Sequence, residues 1–189
     1  MRMILILVIF ILCIIGCKVS SKETFYELVN DNFLQLVDTA AYRTGRLIQI
    51  PNDTLNELKL ENLCIEIDTT LGMPTELSSS IQNMLRSEKI TDFEKLFLDG
   101  ADLSIDKIEL TKLKKTGRFN LFTVEQINKN RCSKMVGKIR FYRPFVSNDR
   151  AIITLTISES SKAGYTKVYL FNKQNGKWKN IKVLEIERW

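Results

Sequence analysis

The chain has 189 residues, of which 44% are hydrophobic, and its 28 lysines and arginines against 22 acids give a formal net charge of +6. It contains no histidine, which excludes Ser-His-Asp and Cys-His catalysis as well as histidine-ligated zinc. It also lacks Cys-x-x-Cys, Gly-x-Ser-x-Gly, phosphate-loop and dinucleotide-binding motifs, so we expect neither a cofactor nor a metal and lean against an enzyme.

A short apolar leader opens the sequence. Met1 and Arg2 are followed by thirteen consecutive apolar residues, from Met3 to Ile15. A membrane-spanning helix needs about 20 apolar residues, whereas the apolar part of a secretory signal peptide has about 7–15 behind a basic start. The pattern therefore predicts a signal peptide over residues 1–16, and the alternative is an uncleaved N-terminal anchor.

The leader ends in Ile14-Ile15-Gly16-Cys17, which resembles the lipobox of bacterial lipoproteins. The resemblance implies cleavage before Cys17, a diacylglyceryl group on its thiol, and fatty acyl chains such as palmitate that hold the protein at the membrane. Two or more acyl chains anchor a protein stably, whereas a single chain binds marginally. We expect residues 17–21 to form the lipidated cysteine and a short tether in the cell envelope, at the outer membrane rather than the inner one where two are present.

One amphipathic helix is predicted directly after this tether. Ser20 and Glu23 have the spacing of a capping box, and apolar residues recur at helical intervals from Phe25 to Ala40. The opposite side of the helix carries four acids, which anionic membranes repel. We therefore predict a core helix from about Lys22 to Ala41 rather than a helix that lies on the membrane.

The middle of the chain mixes strand and helix signals. Residues 42–62 are ambiguous between loop, short helix and strand, and the alternating LCIEID segment of residues 63–68 predicts a half-buried strand. Apolar spacing over residues 77–85 predicts a second helix. A third is predicted to begin at the Thr91–Glu94 capping box and to end at Gly100.

From residue 105 onward the apolar pattern changes to the two-residue period of strands. The predicted strands cover residues 105–110 and 118–124 around a turn at Gly117, then residues 137–146, 151–158, 165–171 and 177–186. Asn175-Gly176 is a strong hairpin signal between the last two strands. The sequence therefore predicts an α+β fold, with N-terminal helices packed on a C-terminal antiparallel β-meander, in a single domain over residues 22–189.

The C-terminal half resembles the ending of small uncharacterised envelope lipoproteins. The resemblance lies in RPFVSNDRAIITLT at residues 143–156 and in NGKWKNIKVLEIERW at residues 175–189. No activity is attached to that group of proteins, so the resemblance assigns no functional residue.

Two cysteines remain once Cys13 leaves with the leader and Cys17 carries lipid. Cys64 and Cys132 then form an even pair in an oxidising compartment. A bond between them would close a long loop and contribute about 4 kcal/mol of stability in the chain-entropy model. The sequence leaves open whether they form a disulfide or stay two separate buried thiols.

One strand carries aromatic candidates for ligand binding. Tyr165, Lys167 and Tyr169 share one face of the strand at residues 165–171, and Trp178 lies just beyond the hairpin. A surface of aromatic rings and lysine is a kind that binds sugars, peptides or proteins. The alternative is that these rings are core residues under the N-terminal helix, which we favour for Trp178 and leave open for the two tyrosines.

These features together predict a lipid-anchored cell-envelope protein that acts by binding, with the membrane and an envelope protein or glycan as its partners. Two alternatives stay open. A carboxylate-dependent envelope hydrolase needs a cleft with two acids, at least one of them with a strongly raised pKa. An immunity-type or accessory subunit needs a contiguous exposed apolar patch on the sheet face instead of a cleft. The basic residues are spread among acids, as on an ordinary solvated surface, so no nucleic-acid partner is expected.

Overall fold

A seven-stranded mixed sheet carries helices on both of its faces. A computed structural model describes residues 21–47, 63–117, 119–127, 134–160 and 162–189. One long helix covers one face of the sheet, and two short helices cover part of the other. This arrangement is the α+β fold that the sequence predicts.

The first helix begins within one residue of its predicted start. The described helices are α1 (Ser21–Leu47), α2 (Ser78–Ser87), α3 (Thr91–Asp99) and α4 (Val124–Ile127), with a 3₁₀ turn at Leu110–Lys112. The described strands are β1 (Leu63–Gly72), β2 (Phe119–Phe122), β3 (Lys134–Tyr142), β4 (Phe145–Val146), β5 (Arg150–Ser160), β6 (Ala163–Gln174) and β7 (Lys177–Arg188). Helix α1 extends to Leu47, beyond its predicted end at Ala41.

The sheet has the strand order β2-β1-β3-β5-β6-β7, and β4 pairs with β5. Strands β3, β5, β6 and β7 are antiparallel neighbours, which confirms the predicted C-terminal meander. Strand β1 instead runs parallel to both β2 and β3. Parallel neighbours need a crossover connection, and the segment that holds α2 and α3 follows β1. Alternation within β1 indicates burial of one face, but it does not specify the direction of the neighbouring strands.

Helix α1 packs its apolar side on one face of the sheet. It meets the side chains that β1, β3, β5 and β6 direct to that face, which confirms the predicted core helix. Fully burying one large apolar side chain contributes about 1.5–3 kcal/mol, so this stripe is a major source of stability. The buried apolar and aromatic residues of its described part are Phe25, Tyr26, Leu28, Val29, Phe33, Leu36 and Val37.

Helices α2 and α3 cover part of the opposite face. Their buried side chains form a second apolar cluster with β4, β5, β6 and β7. Within it the rings of Phe97 and Phe145 lie with their centroids 4.7 Å apart. The remaining part of this face carries polar side chains, and the candidate site lies there.

The strand predicted at residues 105–110 is wrong. The segment forms an isolated bridge between Lys107 and Thr70 and then enters the 3₁₀ turn. Ile105 and Ile108 are buried and Leu110 is partly buried, and they join the core beneath α1 without continuing the sheet. Asn30 of α1 fixes the backbone that follows, because its side-chain nitrogen donates to the carbonyl oxygen of Lys112 at 2.9 Å.

The predicted capping box at the start of α3 does not form. The helix begins at Thr91 as predicted, but its N-cap is Ile90, which makes no side-chain cap hydrogen bond. Glu94 instead accepts a hydrogen bond from Nε of Arg86 in α2. A charge-assisted hydrogen bond is roughly twice as strong as a neutral one, so the ion pair with Arg86 competes successfully for this carboxylate.

The hairpin predicted between the last two strands is confirmed. Asn175 and Gly176 have positive φ values of 51° and 76°, as a two-residue type I′ turn requires. The turn sets the starting register of β6 and β7. Two register shifts further along then bring Glu187 opposite Thr166, which matters for the site described next.

Candidate functional site

The predicted aromatic binding surface is part of the core. Tyr165, Tyr169 and Trp178 are only 1%, 2% and 3% exposed, because α1 covers the face of the sheet on which they lie. The hydroxyl of Tyr169 donates to the carbonyl oxygen of Leu36 in α1 at 3.4 Å, and burial raises the pKa of that phenol. These three rings are therefore not available to a ligand. The core position favoured for Trp178 is the one observed, and the two tyrosines, which the sequence left open, also belong to the core.

Lys167 belongs to the same buried region. Its side chain is 15% exposed, and its Nζ lies 3.7 Å from a carboxylate oxygen of Glu185 on β7. The same nitrogen lies 4.4 Å from the centroid of the Tyr165 ring. The lysine thus has partners within the protein, which accounts for its place at the edge of an apolar core.

Cys64 is buried and disulfide-bonded. The alternative of a free thiol is therefore wrong for this residue. Cys132, its predicted partner, and Cys17, the predicted lipid attachment site, both lie outside the described residues. The pairing of Cys64 with Cys132 and the lipidation of Cys17 stay predictions.

Five polar side chains lie in one row across the face opposite α1. The register places them directly beside one another on β1, β3, β5, β6 and β7, in the order Asp68, Arg140, Thr156, Thr166 and Glu187. Neighbouring strands are about 4.8 Å apart, so the row runs about 14 Å from Arg140 to Glu187. We call these five residues the polar row.

A cavity of about 430 Å³ opens over the polar row. Four members of the row line it from the sheet, and residues 72–77, which follow β1, form a wall. Tyr142 and Trp189 add aromatic rings to the lining. The volume falls in the range of about 300–1,000 Å³ that is typical of small-molecule sites.

Three hydroxyl groups form a chain at the floor of the cavity. The side-chain oxygens of Thr156 and Thr166 are 2.9 Å apart, and the hydroxyl of Tyr142 lies 3.4 Å from that of Thr156. A hydroxyl can both donate and accept a hydrogen bond. The chain therefore keeps these groups satisfied in the free protein. Thr166 is only 2% exposed, so the half-buried hydroxyls of Thr156 and Tyr142 are the ones that can meet a ligand.

Arg140 is held in position by its neighbours. A Cβ atom added to Gly72 would lie 3.1 Å from Nη2 of Arg140, so the guanidinium lies close along the glycine backbone. Its central carbon lies 5.4 Å from the centroid of the Tyr142 ring. Nε of Arg140 is 3.7 Å from the Asp68 carboxylate, which is longer than a hydrogen bond. The guanidinium thus lies beside Gly72, Tyr142 and Asp68 with its side chain 48% exposed, and the Asp68 contact leaves its N–H donors available.

Trp189 is seated on a glycine at the other end of the cavity. Its backbone exchanges two hydrogen bonds with Gly164 of β6, at 3.0 and 3.1 Å. A Cβ atom added to Gly164 would lie 2.6 Å from Cζ2 of the indole, so only glycine permits the ring to lie there. The side chain remains 47% exposed. The ring therefore presents an accessible aromatic surface to the cavity.

The charges of the cavity are separated along its length. Arg140 supplies a cation toward β3, whereas Glu187 supplies a carboxylate on β7 and Glu76 another from the wall.

Outside the cavity, the hydrogen bonds from Lys22 and Lys112 lower the pKa of the Glu109 carboxyl. A carboxylic general acid needs a raised pKa, so Glu109 has the opposite of that property.

The residues of the polar row were missed by sequence reasoning. Each strand contributes a single member, and the five positions extend from residue 68 to residue 187. One local signal was present, because Thr154, Thr156 and Ser158 alternate with isoleucine and leucine along β5. A strand with a hydroxyl-bearing face in the middle of a sheet indicates that this face is not fully covered by apolar layers.

None of the described helices is long and apolar enough to cross a membrane. Among the residues that the structure describes, no cluster of three or more histidine, cysteine or acidic side chains could hold a metal ion. Comparisons of the chain with protein-family models, with curated proteins and with solved structures found no match.

Proposed function

We propose that this protein is a lipid-anchored binding module of the cell envelope and that the cavity over the polar row is its ligand site. The observation that carries the binding proposal is the row itself. Four polar side chains from four strands meet on the floor of one cavity of about 430 Å³. Convergent polar groups with aromatic neighbours in a concave site are typical of ligand binding.

The chemistry of the two sheet faces favours a polar ligand over a protein partner. An accessory subunit that docks through its sheet would offer a contiguous apolar patch. Here α1 covers one face, and α2 and α3 cover the apolar part of the other. The part of the sheet that lines the cavity carries hydroxyl, guanidinium and carboxylate groups, which suit a hydrophilic small molecule.

The proposed anchor rests on the sequence around Cys17 and fits the length of the tether. Helix α1 begins at Ser21, four residues after Cys17. Four residues span at most about 14 Å, so a lipid on Cys17 would keep the domain against the membrane surface. The cavity would then act on ligands of the envelope rather than on ligands of the cytoplasm.

The carboxylate-dependent hydrolase remains the second candidate because two acids, Glu76 and Glu187, both line the cavity. Glycoside hydrolysis requires two carboxyl groups about 5–9.5 Å apart. If the cavity is catalytic, Glu187→Gln removes turnover of a bound saccharide while binding persists. If it only binds, the wild-type protein returns every ligand unchanged, which product analysis by mass spectrometry decides.

The binding proposal is tested with a mixed library of saccharides, dipeptides and carboxylic acids, screened by ligand-observed NMR on the purified protein. Binders are expected to be lost in the double variant Arg140→Gln, Trp189→Ala. The control combines Lys138→Gln, which removes a cation ion-paired with Glu66 outside the cavity lining, with Ile181→Ala, which truncates an exposed side chain of β7. Binding that survives in the double variant, or that is absent from the whole library, would contradict the proposal.

The lipid anchor is tested separately by the intact mass of protein extracted from membranes. We expect a mass that corresponds to Cys17 onward plus a diacylglyceryl group, with or without a further acyl chain. The Cys17→Ser variant should retain its leader and carry no lipid. A wild-type mass that retains residues 1–16 without lipid would overturn the anchor and leave the cavity proposal standing on the ligand screen.

A further inference from the structure

We propose that the cavity recognises an acidic saccharide, with Arg140 binding a single carboxylate of the ligand, Thr156 and Glu187 binding its hydroxyls, and Trp189 stacking on a sugar ring. This inference rests on the proposed binding function and names the class of ligand. It follows from the order of groups along the polar row and from how each end is held.

The Arg140 end suits a carboxylate. A guanidinium presents parallel N–H donors that match the two oxygens of a carboxylate or a phosphate. Asp68 already lies 3.7 Å from Nε of Arg140, so a singly charged carboxylate meets less repulsion there than a doubly charged phosphate. Glu76 and Glu187 elsewhere in the lining disfavour further negative charge on the ligand. The site therefore selects a ligand with one acidic group at one end.

The middle and far end of the row suit sugar hydroxyls. Sugar hydroxyls both donate and accept, as does the half-buried side chain of Thr156, whose oxygen lies 2.9 Å from that of the buried Thr166. The carboxylate of Glu187 only accepts, and it can take two hydroxyl donors from one sugar. Partners for the hydroxyls of a ligand thus lie on β5 and β7, and Thr166 of β6, between them, supports Thr156 through their hydrogen bond.

The Trp189 end adds a flat apolar surface next to these polar groups. A large aromatic ring combines apolar contact area with little loss of side-chain freedom. Gly164 leaves room for the indole, which any larger residue would displace. A pyranose ring has an apolar face of C–H groups and a rim of hydroxyls, so it complements an indole beside Glu187.

The direction of the row argues against an extended peptide. Peptides that bind to sheets pair their backbone with an edge strand and run along it. The polar row instead crosses the strands at right angles on a sheet face, where the backbone groups of β3, β5 and β6 already pair with neighbouring strands. A ligand on this row must therefore be bound through its own side groups.

The test measures the affinity of the purified protein for three disaccharides that contain glucuronic, galacturonic or mannuronic acid, each beside its neutral counterpart, by isothermal titration calorimetry. At least one acid is expected to bind roughly tenfold or more tighter than its neutral partner, since a hydrogen-bonded charge is worth at least one such factor. Arg140→Gln should abolish this preference by weakening the acid alone, whereas Lys138→Gln should preserve it. Trp189→Ala should weaken both members of the pair by a similar factor.

Each of the other outcomes refutes a specific part of the proposal. Equal affinities for acid and neutral sugar, or a preference that persists in Arg140→Gln, refute the role of Arg140 while the binding function stands. Failure of all six sugars while dipeptides or simple carboxylic acids still bind in a Trp189-dependent way refutes the saccharide class alone. Failure of every probe to bind in the cavity overturns both this inference and the proposed function.

Discussion

The two faces of β6 carry different side chains in different surroundings. Toward α1 the strand presents Tyr165 and Tyr169, which are buried under the apolar stripe of the helix. Toward the other side it presents Thr166, which is itself only 2% exposed but lines the floor of a cavity. Aromatic rings are common in binding sites and threonines are common in ordinary sheets. Composition alone would therefore place the ligand site on the wrong face of β6. Coverage by a helix, which depends on tertiary packing, decides which face can meet a ligand.

The largest loss of stability is expected from a substitution in the core between α1 and the sheet. Phe33→Ala removes a side chain that is 1% exposed and should lower the free energy of unfolding by about 3–5 kcal/mol, because it leaves a cavity in the main core. Gln35→Ala, on the exposed side of the same helix, is the matched control and should change it by less than about 0.5 kcal/mol. Urea denaturation followed by circular dichroism measures both. A small loss for Phe33→Ala would mean that α1 does not form the core contact.

The second prediction concerns the disulfide of Cys64. Cys64→Ser should lower the free energy of unfolding by about 2–4 kcal/mol, and Cys132→Ser should do the same if these two residues are partners. A non-reducing digest analysed by mass spectrometry should contain the two peptides linked. Linkage of Cys64 to another cysteine, or a stable Cys132→Ser variant in which Cys64 remains bonded, would refute the pairing.

The third prediction uses pH to test the burial of Tyr169. Burial raises the pKa of its phenol in the folded protein, whereas the unfolded chain titrates at its ordinary value near 10. The resulting stability is complete below about pH 10 and is lost as the pH rises further, by up to about 1.4 kcal/mol per pH unit. The drop in unfolding free energy between pH 8 and pH 11 should therefore be smaller in Tyr169→Phe than in the wild type. Identical pH profiles would contradict a buried phenol.

The smallest expected effect lies on the polar row. Thr166→Val preserves shape but removes one hydroxyl of the Thr156–Thr166 pair, so it should cost only about 0.5–1.5 kcal/mol in unfolding free energy. Thr156 retains Tyr142 as a neighbour at 3.4 Å, which limits the loss. Thr70→Val, at an exposed position of β1, is the control. A loss above about 3 kcal/mol would place Thr166 in the cooperative core and weaken its assignment to a ligand site.

Local signals determined much of the fold. The apolar stripe from Phe25 onward predicted a core helix because its 3.6-residue period matches one side of a helix, and Asn175-Gly176 predicted the last hairpin because both residues tolerate positive φ. Alternation in β5, β6 and β7 predicted the meander. Two local signals failed where a distant partner intervened. Arg86 binds the carboxylate of Glu94, which therefore does not cap α3. The side chain of Asn30 binds the backbone that follows the segment at residues 105–110.

The sequence by itself determined the α+β class, the core helix and the antiparallel order of the C-terminal strands. Periodicity and turn conformations act within a few residues, so local sequence is enough to specify them. The candidate site required the tertiary structure. Asp68 reaches the polar row only because β1 runs parallel to β3, and Glu187 reaches it only after two register shifts between β6 and β7. Neither strand direction nor a bulge leaves a periodic mark in the chain, since both arise from contacts between segments that are far apart in the sequence.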